Sequence, residues 1–127
     1  MSKVVLDTSA VLAALNGEPG GEIVADGADD YLLSSVNLAE TIGFLLRRGR
    51  SQEGALRAVD YVDATVVPHD KALAEDTGVL IARTRGRGLS LGDCACLALA
   101  LKTNHPVLTA DRAWLDLDLG VEVRLIR

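Results

Sequence analysis

The chain has 127 residues, 49% of them hydrophobic and only 3% aromatic, which predicts one compact domain, residues 1–127, with a core of Val, Leu, Ile and Ala rather than an aromatic-rich β-sandwich. Thirteen Lys plus Arg against eighteen Asp plus Glu leave a net charge of −5, the wrong sign for holding a polyanion by overall field, so any nucleic-acid contact must be local. The longest apolar run, Cys94 to Leu101, is far shorter than the roughly 20 residues that cross a bilayer; Asp7 interrupts the apolar run after Lys3 with no small-residue cleavage site behind it, so a cytoplasmic location is expected.

Val4, Val5 and Leu6 form a short β-branched run that ends in Asp7-Thr8-Ser9, ahead of a helical stretch from Ala10 to Leu15, so the chain opens strand, polar turn, helix. A glycine-rich turn at 17–21 precedes the segment Glu22 to Ala28, and Tyr31 to Leu33 reads as a strand. Ser34 and Ser35 are placed to cap a helix that runs to about Arg48, with Gly49 as its stop. Ala55, Leu56, Val59 and Val62 recur at helical spacing, and Thr65 to Val67 is a strand closed by Pro68.

Leu73, Thr77, Leu80 and Ile81 predict an amphipathic helix, followed by a basic, glycine-containing loop from Arg83 to Gly88. A long Ala/Leu helix starts near Ser90 and ends at Asn104 to Pro106; Val107 and Leu108 then form a strand leading to Asp111, and Val121 to Ile126 alternates as a terminal strand. Strands alternating with helices predict an α/β fold, a three-layer α/β/α arrangement around a mostly parallel sheet, with sites at the strands' C-terminal ends.

That rule directs attention to four acids. Asp7 ends the first strand, Glu40 lies in the helix after the second, Asp93 opens the long helix and Asp111 follows Val107-Leu108. Each has an ordinary structural reading: Ser90-x-x-Asp93 and Asn37-x-x-Glu40 match capping boxes, and Asp7 and Asp111 can cap the helices behind them. Jointly they mean more, because four carboxylates at one sheet edge raise one another's pKa unless a cation sits among them. Oxygen donors without neighbouring Cys or His suit Mg²⁺ or Mn²⁺, and such a cation suits phosphodiester hydrolysis by an activated water with no protein nucleophile.

Other acidic sheet edges fit less well. A phosphotransfer receiver wants adjacent acids after its first strand and an Asp after its third, where this chain has Leu6 before Asp7 and Pro68-His69 after Val67. An aspartate-nucleophile phosphatase wants a second acid where Ser9 stands. Cys94 and Cys96 point to different faces of a helix and read as small buried hydrophobes; with only His69 and His105 beside them, they do not make a zinc site.

The segments Val-Leu-Asp7-Thr-Ser-Ala, Ser-Ser-Val-Asn-Leu-Ala-Glu40, Gly-Leu-Ser-Leu-Gly-Asp93 and Leu-Thr-Ala-Asp111-Arg-Ala-Trp114 resemble the PIN-domain family, and most its VapC-type toxin branch, in the family's order down to the closing Gly-Val-Glu-Val-Arg strand. The resemblance implies an acidic quartet of Asp7, Glu40, Asp93 and Asp111 acting as metal ligands and catalytic residues in a metal-dependent endoribonuclease. It implies supporting hydroxyl or amide contacts from Thr8, Ser9, Asn37 and Thr109. It further implies a homodimer inhibited by a VapB-like antitoxin bound beside the active site. Cys94 departs from the basic or small residue expected just after the third acid. A non-catalytic PIN-like module that binds RNA or a partner is the alternative; loss of an acid would have favoured it, and none is missing.

Two local basic clusters, Arg47/Arg48/Arg50 and Arg83/Arg85/Arg87, are the candidates for RNA phosphate contacts; the competing reading has Arg47 and Arg48 complementing a helix C-terminus and the others solvated or facing a partner subunit. Trp114 reads as a core anchor at a helix start rather than a base-stacking platform.

Overall fold

The computed structural model describes residues 2–127. Five strands form one sheet in the order β3-β2-β1-β4-β5, and every pair is parallel. The strands are β1 (Lys3–Leu6), β2 (Asp30–Ser34), β3 (Ala64–Val67), β4 (Val107–Thr109) and β5 (Val123–Leu125). The helices are α1 (Thr8–Asn16), α2 (Gly21–Ala25), α3 (Ser35–Arg47), α4 (Gln52–Tyr61), α5 (Lys71–Arg83) and α6 (Leu91–Thr103), with a 3₁₀ turn over Arg112–Asp116.

The three layers follow from side-chain alternation along β1. Val5 packs with Leu32 and Val107 against α6 and α5, in a cluster that holds Leu97, Leu99, Leu73, Leu80 and Trp114. Val4 and Leu6 point the other way, with Tyr31, Leu33 and Leu108, onto Ala10, Val11 and Ala13 of α1 and Val24 of α2. A central parallel strand covered on both faces has to be apolar on both, which is why Val4, Val5 and Leu6 carry no polar interruption. Helix α6 is apolar around its whole circumference because every residue from Cys94 to Ala100 is buried.

Boundaries shift in several places. Thr8 and Ser9 belong to α1 rather than to a turn, and the segment after the glycine-rich turn forms the short helix α2, Gly21–Ala25. Val62 falls just outside α4 as its C-cap, and Ile81 is 47% exposed although it shares helical spacing with the buried Leu73, Thr77 and Leu80. The terminal strand is only Val123–Leu125, since β4, the strand it pairs with, is itself three residues long. Among the described residues no helix is long and apolar enough to cross a membrane.

The strand order fixes the place of a site. From β1 the chain moves outward through β2 to β3, then returns to the opposite side of β1 for β4 and β5. The reversal opens a crevice between the C-terminal ends of β1 and β4, the position where open parallel sheets bind ligands. Asp7 immediately follows β1, and Asp111 lies two residues after β4.

Candidate active site

One cleft of about 510 Å³ at this sheet edge is lined by Asp7, Glu40, Asp93 and Asp111 together. Acids up to 104 positions apart in the chain are thus gathered by two strand ends and two helices.

Asp7 is the buried member, 4% exposed. Its Oδ2 accepts hydrogen bonds from Ser9 Oγ at 2.6 Å and Thr109 Oγ1 at 2.8 Å. Burial pushes its pKa from the usual 3.8 up to about 6; the bonds from Ser9 and Thr109 oppose the rise, and the Asp93 charge adds to it. Asp7 occupies the N-cap position of α1 but makes no side-chain cap bond, so the capping reading fails for this residue.

Glu40 sits on the exposed face of α3 and is held from below. Thr8 Oγ1 donates to its Oε1 at 2.9 Å and Asn37 Nδ2 at 3.3 Å. Asn37 is fully buried, and its Nδ2 also reaches Thr8 Oγ1 at 3.1 Å and the Gly92 carbonyl at 3.1 Å. Turning this amide over would set oxygen against the Glu40 carboxylate and the Gly92 carbonyl, so the network fixes its orientation and leaves Asn37 Oδ1 buried without a partner. Asn37 and Glu40 are therefore not a capping box: Ser34 caps α3 by accepting from the Val36 N–H, and Asn37 lies one turn further in.

For Asp93 and Asp111 the capping readings hold. Ser90 and Asp93 form a capping box, with Asp93 Oδ2 accepting from the Ser90 N–H at 2.9 Å. Asp111 Oδ1 accepts from the Ala113 N–H at 3.0 Å. Each cap uses one carboxylate oxygen while the residue still lines the cleft. Among the described residues no three His, Cys, Asp or Glu side chains converge closely enough to hold a metal ion as they stand. The donor chemistry nevertheless suits a hard divalent cation: all four are carboxylates, and a buried one is pushed up to about 6 where a cation would favour its charged form.

The supporting contacts expected of Thr8, Ser9, Asn37 and Thr109 are all present. Thr109 also links two acids, accepting from the Asp111 N–H at 3.0 Å while donating to Asp7. Cys96 lies behind Asp7, its thiol donating to the Leu6 carbonyl at 3.6 Å; burial, with Asp7, Asp93 and Glu40 nearby, raises its pKa well above the usual value and keeps it a neutral thiol. Cys94 is buried too, away from the cleft lining.

Of the six arginines in the two basic clusters only Arg47 lines the cleft. Arg48 stacks over the Phe44 ring at 4.6 Å from its centroid, and Arg87 donates to the Asp116 carbonyl. Trp114 is a core residue, 1% exposed.

Two features escaped the sequence reading. Gly92 lies so close beneath Glu40 that a Cβ there would overlap the Glu40 carboxylate. Its signal was a glycine in the first turn of a helix, where propensity disfavours it. The apolar side of the cleft, Leu12 and Phe44, carried no signal, because both also fit ordinary core spacing.

A family model for the PIN domain matches residues 4–119. The chain belongs to the PIN-domain family. No curated protein sequence matches it. Among solved structures, this PIN domain is similar to Mycobacterium tuberculosis VapC20, a sarcin-ricin loop cleaving toxin, at 19% identity over 94% of this chain and 98% of that one, with a TM-score of 0.78. It is similar to a chain of DNA-bound VapBC from Salmonella typhimurium at 21% identity over 100% of both chains, with a TM-score of 0.76. A third likeness is to VapBC-5 of Mycobacterium tuberculosis, a toxin-antitoxin system, at 25% identity over 100% of this chain and 99% of that one, with a TM-score of 0.66.

Proposed function

We propose that this PIN domain is the toxin of a toxin-antitoxin module and acts as a Mg²⁺- or Mn²⁺-dependent endoribonuclease. The observation that carries the reading is the gathering of Asp7, Glu40, Asp93 and Asp111 around one cleft at the switch point of the sheet. The complexes formed by VapBC relatives support a VapB-like antitoxin as partner, and the family resemblance supports a homodimer.

In this reading Asp7, Glu40, Asp93 and Asp111 would hold the cation. When bound, it supplies positive charge for the phosphate oxygens and lowers the pKa of water enough to make a nucleophile near neutral pH. The chain's own residues do the rest. Ser9 and Thr109 hold the Asp7 carboxylate in one orientation, and Thr8 and Asn37 hold Glu40, so neither acid has to be ordered when substrate arrives. Asp93 and Asp111 are fixed by their caps, each accepting one backbone N–H at a helix start.

The test is incubation of cellular RNA with purified, antitoxin-free protein and Mg²⁺ or Mn²⁺. Discrete fragments that disappear with EDTA and in the Asp93→Asn variant are expected. Folded protein that cuts no RNA with either metal overturns the nuclease and leaves a non-catalytic binding module.

A further inference from the structure

Helix α3 contributes more to the cleft than Glu40. Ala39, Gly43 and Arg47 follow at intervals of four residues, beside the row of Glu40 and Phe44, and all five line the same cavity. The face therefore runs from the acids, across two small residues, to a guanidinium at the last helical position.

Gly43 is the residue that needs explaining. It lies in the middle of a 13-residue helix, where glycine is unfavourable relative to alanine. No close approach calls for it, since a Cβ built there meets nothing within 4 Å. Its smallness leaves space in the cleft rather than in the protein interior. Next to that space, Leu12 and Phe44 supply an apolar wall, and Arg48, which does not line the cleft, covers one face of the Phe44 ring.

Arg47 is the single basic side chain of the cleft lining, and among the described residues it forms no ion pair with any carboxylate. In a chain of net charge −5, an unpaired guanidinium at the rim of an acidic cavity suits one class of ligand, a group that carries its own anion. A cavity of about 510 Å³ has room for a nucleobase beyond the acids.

We propose that the α3 wall of this cleft is a single-stranded RNA nucleotide subsite, in which Arg47 holds a backbone phosphate and the space over Gly43, against Leu12 and Phe44, receives the adjoining base. The assignment rests on the nuclease reading for its place beside the scissile phosphate, but not for binding itself. A single strand is specified because the base must leave its stack to enter the space.

The experiment is anisotropy titration of a fluorescein-labelled single-stranded RNA oligonucleotide in EDTA, using the full chain carrying Asp93→Asn so that nothing is cut. Arg47→Gln is expected to weaken binding on the order of tenfold, the loss of one charge-assisted contact, and to flatten the dependence of log K on log salt by about 0.7, one single-strand phosphate contact. Gly43→Leu, which fills the space, is expected to weaken binding at least as much, with an unchanged salt slope. Gly43→Ala keeps most of the room, favours the helix and controls for folding, and Arg57→Gln, at an exposed residue outside the cleft, should bind like the parent. Parental affinity in both Arg47→Gln and Gly43→Leu overturns the subsite, and if those variants instead lose a co-expressed antitoxin, the wall belongs to a protein partner. Metal-loaded protein with an intact Asp93 that binds this RNA yet never cuts it overturns the nuclease reading while the subsite stands.

Discussion

The Glu40 carboxylate lies directly over the α-carbon of Gly92, leaving no room for a β-carbon between α3 and the first turn of α6. The contact joins residues 52 positions apart, and the Asn37 amide completes it by donating to both the Glu40 carboxylate and the Gly92 carbonyl. Gly92→Ala places a methyl group where the carboxylate sits. The obstructed atoms are the far end of a flexible side chain, so Glu40 swings away while the backbone stays. RNA cleavage is expected to fall by about two orders of magnitude, the penalty for misplacing a catalytic group by about an ångström, with a melting temperature within a few degrees of the parent. Retained cleavage would show that Glu40 is needed only nearby; a large fall in melting temperature would show that α6 itself moved.

Such contacts mark the boundary of what the sequence could reveal. Strands β1, β2 and β4 and helices α3 and α6 were legible because local signals agreed: short apolar runs, serine caps at Ser34 and Ser90, a left-handed Asn104 at the end of α6. The four acids were legible as a set only through order and spacing along the whole chain. Hydrogen-bond partners for Asp93 and Asp111 were predictable, since a cap bonds within three residues. What lies under Glu40, which arginine reaches the cleft, and why Ile81 is exposed depend on how α3 and α5 pack, and packing leaves no local mark.

Burial of Asp7 predicts a pH signature in the metal-free protein. Its folded pKa of about 6 lies above the usual 3.8, so the folded state favours the protonated form. No penalty exists below pH 3.8; it grows as the pH rises toward 6 and is complete above it. At about 1.4 kcal/mol per pH unit the interval amounts to about 3 kcal/mol. Asp7→Asn in EDTA is therefore expected to stabilise the fold at pH 7 by up to that amount and to add little at pH 3.5, as read by urea unfolding. A variant less stable than the parent at pH 7 would mean that the bonds from Ser9 and Thr109 outweigh desolvation.

The same penalty predicts the response to cations. Asp93 and Asp111 each commit one oxygen to a cap and retain a second for a ligand, and a divalent cation beside Asp7 favours its charged form. Millimolar Mg²⁺ or Mn²⁺ is expected to raise the melting temperature of the parent by several degrees through preferential binding to the folded state, reversibly with EDTA. The rise should shrink in Asp7→Asn. An equal rise in parent and variant would place the cation elsewhere.

Thr109 links these effects. Its hydroxyl donates to Asp7 Oδ2 at 2.8 Å and accepts from the Asp111 N–H at 3.0 Å, so Thr109→Val removes both bonds while keeping nearly the same shape. Losing a donor to the charged form raises the Asp7 pKa further. Two consequences separate this from a packing defect. The loss of stability, about 1.5–3 kcal/mol for a hydrogen bond to a charged group, should be larger at pH 7 than at pH 3.5, where Asp7 is neutral with or without its partner. The acid limb of the pH dependence of RNA cleavage should also move to higher pH, because a greater share of Asp7 remains protonated at any given acidity. A pure packing defect lowers stability equally at both pH values and leaves the acid limb in place. The paired measurement thus decides whether the threonine at the end of β4 sets the charge of the aspartate at the end of β1 or only fills the space beside it.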